Sequence, residues 1–115
     1  GSSMGAEVAP VLLSVDERFR AALLISGGFA HQYLSESDPL NFAPRVTLPV
    51  LLLNDRLDTF FPVEESQLPF LHLLGTPEKD KKYVVFESTH GGMPIRELIR
   101  ESLDWLDKYL GPVKR

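Results

Sequence analysis

The chain has 115 residues, enough for one domain with a real core, of which 43% are apolar and 24% charged, with a formal charge of −4. It has no run of about 18 apolar residues and its basic residues are scattered, which argues against a membrane-spanning helix and a nucleic-acid footprint. With no cysteine, disulfides, thiolate metal sites and a cysteine nucleophile are removed together; a reducing, cytoplasmic location is compatible, and no charged-then-apolar leader is seen. Val8, Val11, Leu12 and Val15 recur at helical spacing and predict a helix over residues 6–15, kinked at Pro10 or starting near it. The apolar run 21–26, closed by Gly27-Gly28, reads as a strand buried on both faces. Residues 29–46 carry loop chemistry, with Leu40 and Phe42 as expected anchors and room for a short helix.

Pro49 introduces a second strand over residues 50–53, left through the turn Asn54-Asp55-Arg56-Leu57-Asp58. Pro62 opens a helical stretch with Glu64 and Glu65 in its first turn, which Pro69 must kink or divide and Gly75 is expected to close as a left-handed cap. Residues 83–86 form a third β-branched and aromatic run. Pro94 starts a final helix in which Ile95, Leu98, Ile99, Leu103, Leu106 and Leu110 make one apolar stripe, stopped by Gly111-Pro112; Trp105 beside it reads as a core or interface aromatic. Strands alternating with helical segments predict an α/β fold: about three parallel strands, right-handed crossovers, helices on the faces.

The first five residues, Gly1-Ser2-Ser3-Met4-Gly5, spell G-x-S-x-G. One reading is a nucleophile elbow, a strand-to-helix turn that exposes a serine. The other is that Gly1-Ser2-Ser3 is the remnant of a cleaved expression tag, which makes Met4 the first native residue. Reactive groups of a parallel sheet gather beyond the carboxyl ends of its strands, where Asp58 and His90 both fall. An aspartate that orients a histidine is half of a nucleophilic triad, and serine–acid–histidine is a known chain order for one. Taken alone, Asp58 also reads as a turn or cap residue and His90 as a loop histidine. His31 and His72 read as a loop residue and a helix-face residue, no spacing suggests a metal site, and no cofactor is implied.

The stretch 41–45, residues 49–54 with Asp58 and Phe61-Pro62, then Leu74-Gly75-Thr76-Pro77, His90, and residues 103–113 resemble the C-terminal half of α/β-hydrolases. The dienelactone-hydrolase, acetyl-esterase and prolyl-oligopeptidase-like branch is the most similar. The resemblance covers essentially the whole chain and implies a single truncated α/β-hydrolase-like domain over 1–115. It implies Ser3 as nucleophile, Asp58 as triad acid, His90 as base and the Met4 backbone N–H as one oxyanion donor. Asp55 departs from a frequent turn glycine and Thr89 from a frequent glycine before the histidine. The implied chemistry is serine ester or acyl hydrolysis of a small-molecule substrate, weak or absent in this chain alone; the rival is a non-catalytic fragment or dimeric interaction domain keeping relic Asp58 and His90. With only two residues before it, Ser3 is expected to be mobile or displaced from His90. The strand at 21–26 is expected to have an open edge and to pair antiparallel with a second copy, forming a homodimer to which Val8, Val11, Leu12 and Val15 contribute.

Overall fold

The computed structural model describes residues 1–114. Helix α1 (Met4–Val15) is followed by strand β1 (Ala22–Ile25), the short helix α2 (Pro39–Phe42), which runs into a tighter turn at Ala43–Arg45, and strand β2 (Val50–Asp55). A π turn (Val63–Gln67) leads into helix α3 (Leu68–Leu73); strand β3 (Lys81–Phe86) and helix α4 (Ile95–Leu110) complete the order. The three strands form one parallel sheet in the order β1-β2-β3, with Leu24 beside Leu52 and Leu52 beside Tyr83. No helix among the described residues is long and apolar enough to cross a membrane.

Alternation along the strands creates two apolar layers. On one face Ala22, Leu24, Val50 and Leu52 pack with Ala6 of α1, Ala43, Val46, Phe70 and Leu74. On the other, Leu51 and Leu53 meet Met93 and Trp105, with Leu23, Ile25, Val84 and Phe86 against them. All six residues of β2 are buried, as befits the central strand covered on both sides. β1 is buried on one face only: Ala22 and Leu24 are inside, Leu23 and Ile25 half-buried.

Several local expectations change. The buried face of α1 is Ala6, Glu7 and Pro10, not the valine–leucine stripe; Val8, Leu12 and Val15 are exposed. The small residues let α1 approach the sheet closely, so Ala6 lies where any side chain on Gly27 would sit, 2.5 Å from a Cβ built there. Pro10 stays inside the helix without ending it. Anchors of the long loop are Pro39, Ala43 and Val46, while Leu40 is exposed. In α4 only Trp105 is buried; Ile95, Ile99, Leu103 and Leu110 are at least half exposed, because the helix meets the sheet along Leu98 and Trp105.

Gly75 does not adopt a left-handed conformation. Its smallness has a steric cause: a Cβ there would lie 2.1 Å from the Pro44 carbonyl oxygen, where the end of α3 crosses the turn after α2. The contact is sealed by a hydrogen bond from the Gly75 N–H to the Ala43 carbonyl at 3.0 Å. Gly75→Ala is therefore expected to destabilise the fold by about 1–3 kcal/mol through overpacking. A denaturant midpoint equal to that of the unsubstituted chain is the contrary result.

Candidate active site

Ser3 sits at the junction between an extended start and α1, at φ 53° and ψ −120°. A non-glycine residue in this region is strained, so the surroundings must over-determine it. They do so through the first two residues, which run parallel to β1. The Ile25 N–H donates to the Gly1 carbonyl at 2.9 Å, the Ser3 N–H donates to the Ile25 carbonyl at 2.8 Å, and the amino terminus donates to the Leu23 carbonyl at 2.9 Å. Behind Ser3 the helix starts at once, its carbonyl accepting from the N–H of Ala6 and of Glu7 at 3.0 Å. The expected displacement of Ser3 is thus corrected: Gly1 and Ser3 are both hydrogen-bonded to β1, a strand that the core already holds. The same pairing occupies the β1 edge at Leu23 to Ile25 that was expected to be open.

A serine preceding a helix usually turns its hydroxyl back onto the helix N–H groups. Here Ser3 makes no such cap. Its Oγ lies 2.9 Å from His90 Nε2. His90 Nδ1 lies 2.7 Å from Asp58 Oδ2. An ionised carboxylate only accepts, so Nδ1 carries the proton, Nε2 is left as an acceptor, and the Ser3 hydroxyl donates to it. The other oxygen of Asp58 accepts from the N–H groups of Phe60 and Phe61, both at 2.8 Å, which fixes the carboxylate plane. The Asp58 side chain is fully buried and His90 is a quarter exposed, flanked by the rings of Phe60 and Phe61 at 5.0 and 5.8 Å. Met4, as the first residue of α1, has no carbonyl one turn earlier to accept its N–H. The arrangement brings Ser3, Asp58 and His90 into one hydrogen-bonded line, with Met4 beside them on the wall of a pocket of about 250 Å3.

Two further groups, Asp55 and Gln67, hold this line in place, and a third, Glu7, fixes the pocket wall beside it; the sequence assigned none of them these roles. Asp55, at the end of β2 and fully buried, accepts from Ser26 Oγ at 2.7 Å, Ser88 Oγ at 2.6 Å and the Gly91 N–H at 3.0 Å. It thereby ties the ends of β1, β2 and β3 to the loop that carries His90. Ser26 is itself at φ 51°, a second strained residue pinned by the same carboxylate. Gln67 donates to the carbonyls of Asp55 and Phe61 at 2.8 and 2.7 Å, closing the Asp58 loop from below. Asp55, Asp58 and His90 bring potential ligand atoms within 4.8 Å of one another. All four carboxylate oxygens of this cluster already accept from protein donors, so a cation here would have to displace them.

Glu7, one turn into α1 and 1% exposed, is the third. Its Oε1 accepts from the N–H groups of Ala30 and His31 at 3.0 and 2.8 Å, and its Oε2 from His31 Nδ1 at 2.7 Å. Burial alone would push this carboxyl up, but the donors from His31 and Ala30 outweigh it and hold the group below its ordinary value. A glutamate among Ala6, Val8 and Ala9 was the visible signal in the sequence, since a carboxylate on a buried helix face requires partners.

No protein-family model matches the sequence, and no curated protein is similar enough to serve as a relative. Solved structures do match. The zinc-bound form of a cold-adapted esterase from an Arctic intertidal metagenomic library is 31% identical with a TM-score of 0.79, over 96% of this chain and 47% of that one. A Klebsiella pneumoniae protein assigned as a dienelactone hydrolase is 18% identical with a TM-score of 0.73, over 95% and 50%. An acylaminoacyl peptidase of Pyrococcus horikoshii is 19% identical with a TM-score of 0.73, over all of this chain and 24% of that one. Fold and likeness together show that the chain has part of the α/β-hydrolase fold. It spans about half the length of the esterase it matches.

Two expectations follow from the supporting groups. Asp55→Ala leaves three donors without an acceptor in a buried site and is expected to cost about 2–4 kcal/mol, read from denaturant unfolding. Glu7 has a depressed folded value, so its stabilisation is present above 4.5 and is lost as pH falls through that value toward the lower folded one. Glu7→Gln should accordingly cost about 1–3 kcal/mol at neutral pH, with the difference shrinking in acid; a difference that does not change with pH would contradict the ionised assignment.

Proposed function

We propose that this chain is a serine hydrolase domain acting on esters or related acyl compounds. The observation that carries the reading is the continuous relay from Ser3 Oγ through His90 to Asp58, at 2.9 and 2.7 Å. In the proposed sequence His90 Nε2 accepts the hydroxyl proton as Ser3 Oγ attacks the acyl carbon. The carbon–oxygen bond to the leaving alcohol then breaks, and His90 returns the proton to that alcohol. Water, deprotonated by the same nitrogen, then attacks the acyl carbon; the bond to Ser3 Oγ breaks, the acid leaves, and His90 returns the proton to Oγ. Asp58 holds the imidazole in the tautomer that both steps need. The Met4 N–H, at the positive end of α1, donates to the developing oxyanion.

Turnover by the chain alone is expected to be slow. Met4 offers one backbone donor, and the loss of one oxyanion donor costs roughly 100- to 1000-fold in rate. A second reading, a non-catalytic interaction domain, draws on a different observation. Val8, Leu12 and Phe19 are exposed beside a groove of about 380 Å3 that they line with Leu106, a surface suited to an apolar partner such as a second copy. Such a homodimer would use this groove, since the β1 edge is already paired.

A fluorophosphonate probe separates the readings without knowledge of the substrate. Covalent labelling of the chain that disappears in Ser3→Ala supports the hydrolase, and Asp58→Asn is expected to slow hydrolysis of an activated ester by about 10³- to 10⁴-fold. No labelling, combined with a dimer by sedimentation at micromolar concentration, would favour the interaction domain.

A further inference from the structure

The pocket beside Ser3 has six lining residues: Ser3, Met4, His31, Phe60, Phe61 and His90. Five of them belong to the relay, its oxyanion donor or the aromatic walls around His90. His31 belongs to none of these. It arrives on the loop after β1 and stands edge-on to Phe61, ring centroids 6.5 Å apart. Glu7 fixes it twice, through its backbone N–H and through Nδ1, at 2.8 and 2.7 Å.

This is the wiring of His90 repeated: a buried carboxylate accepts a hydrogen bond from Nδ1–H and leaves Nε2 as the free edge of the ring. His90 spends that edge on Ser3. The Nε2 of His31 has no hydrogen-bond partner among the described residues. Keeping a carboxylate 1% exposed one turn beyond Ser3 is costly unless its partners repay the desolvation. What Glu7 achieves is the orientation of one polar ring on the wall of a pocket whose other residues, besides Ser3 and His90 of the relay, are Met4 and two phenylalanines.

We propose that His31 is a substrate-binding residue of the Ser3 pocket, its Nε2 taking a hydroxyl carried on the acyl part of an ester. Hydroxyacyl esters are then favoured over plain acyl esters of the same length. A hydroxyl is the group that satisfies this nitrogen in either protonation state, donating to the neutral ring and accepting from the protonated one. A carbonyl oxygen serves only the protonated ring, and a bare alkyl chain serves neither. The half-exposed position of His31 keeps the selectivity modest, because water competes for the same nitrogen.

The inference rests on Ser3 as nucleophile, and the test keeps the two apart. The quantity to measure is the ratio of kcat/KM for p-nitrophenyl lactate over p-nitrophenyl propionate, which differ by the hydroxyl alone, divided by the same ratio for hydroxide-catalysed hydrolysis, which removes the inductive activation of the carbonyl by that hydroxyl. The unsubstituted chain is expected to favour the lactate ester about tenfold, mostly through KM, the discrimination of one partly exposed hydrogen bond. His31→Phe should bring the ratio to about one, and His31→Gln, which keeps a hydrogen-bonding group, should hold it between the two; circular dichroism verifies that each variant is folded. A ratio near one in the unsubstituted chain, or an unchanged ratio in His31→Phe, overturns the role of His31 while Ser3-dependent hydrolysis stands. Absence of both fluorophosphonate labelling and Ser3-dependent hydrolysis overturns the nucleophile, and this inference with it.

Discussion

Everything at the site depends on the carboxylate of Asp55. Parallel strands end with their carbonyls and side chains pointing into the same rim, and nothing in the backbone ladder fixes the loops that leave it. Asp55 does so with three donors, from Ser26, Ser88 and Gly91. Each donor comes from a different departure: the strained end of β1, the end of β3, and the residue following His90. A charge-assisted hydrogen bond is roughly twice as strong as a neutral one, and in a fully buried position it meets no competition from water. The position of His90 relative to Asp58 follows, because the two loops that carry them are anchored on one group.

The second constraint is the tight turn at Ser3. Its backbone conformation is unfavourable for a side chain, and its hydroxyl forgoes the cap that a serine before a helix ordinarily makes. Hydrogen bonds to β1 on one side and the immediate start of α1 on the other compensate. The small face of α1 lets it lie close beneath the sheet, with Ala6 against Gly27, and this brings the turn to the height of the strand ends. Glu7 extends the same device by one helical turn. Through His31 it draws the loop after β1 toward the pocket, so that α1 positions two walls of the site at once.

The apolar surface left over is considerable for so small a chain. Ile95, Ile99 and Leu103 form an exposed row on α4, and Val8, Leu12 and Phe19 line a groove beside β1. Helices of isolated small domains seldom present this much aliphatic surface without a partner. The esterase and the peptidase that this chain resembles are about twice as long or longer.

The amino-acid order by itself determined the class of the fold. Apolar runs at β1, β2 and β3 separated by helical segments admit a parallel sheet and little else, and the strand ends then place Asp58 and His90 at one rim. The five-residue motif at the start marked Ser3, and the family resemblance named its partners. Tertiary structure decided what local pattern could not carry. Which stripe of α1 and α4 is buried depended on how closely each helix approaches the sheet, and that distance is set by what each meets there: Gly27 against α1, and Leu51 and Leu53 of β2 against Trp105 of α4. Gly75 reads as a cap locally, yet its smallness answers to the Pro44 carbonyl, a contact that exists only once the chain has folded back. Asp55 read as a turn residue, and Glu7 and Gln67 carried no pattern of their own, because a carboxylate or an amide shows its partners only in three dimensions: the donors that bind Asp55 lie up to 36 positions away. Periodicity reports which way a side chain points within its own element; which groups it meets is a property of the packed whole.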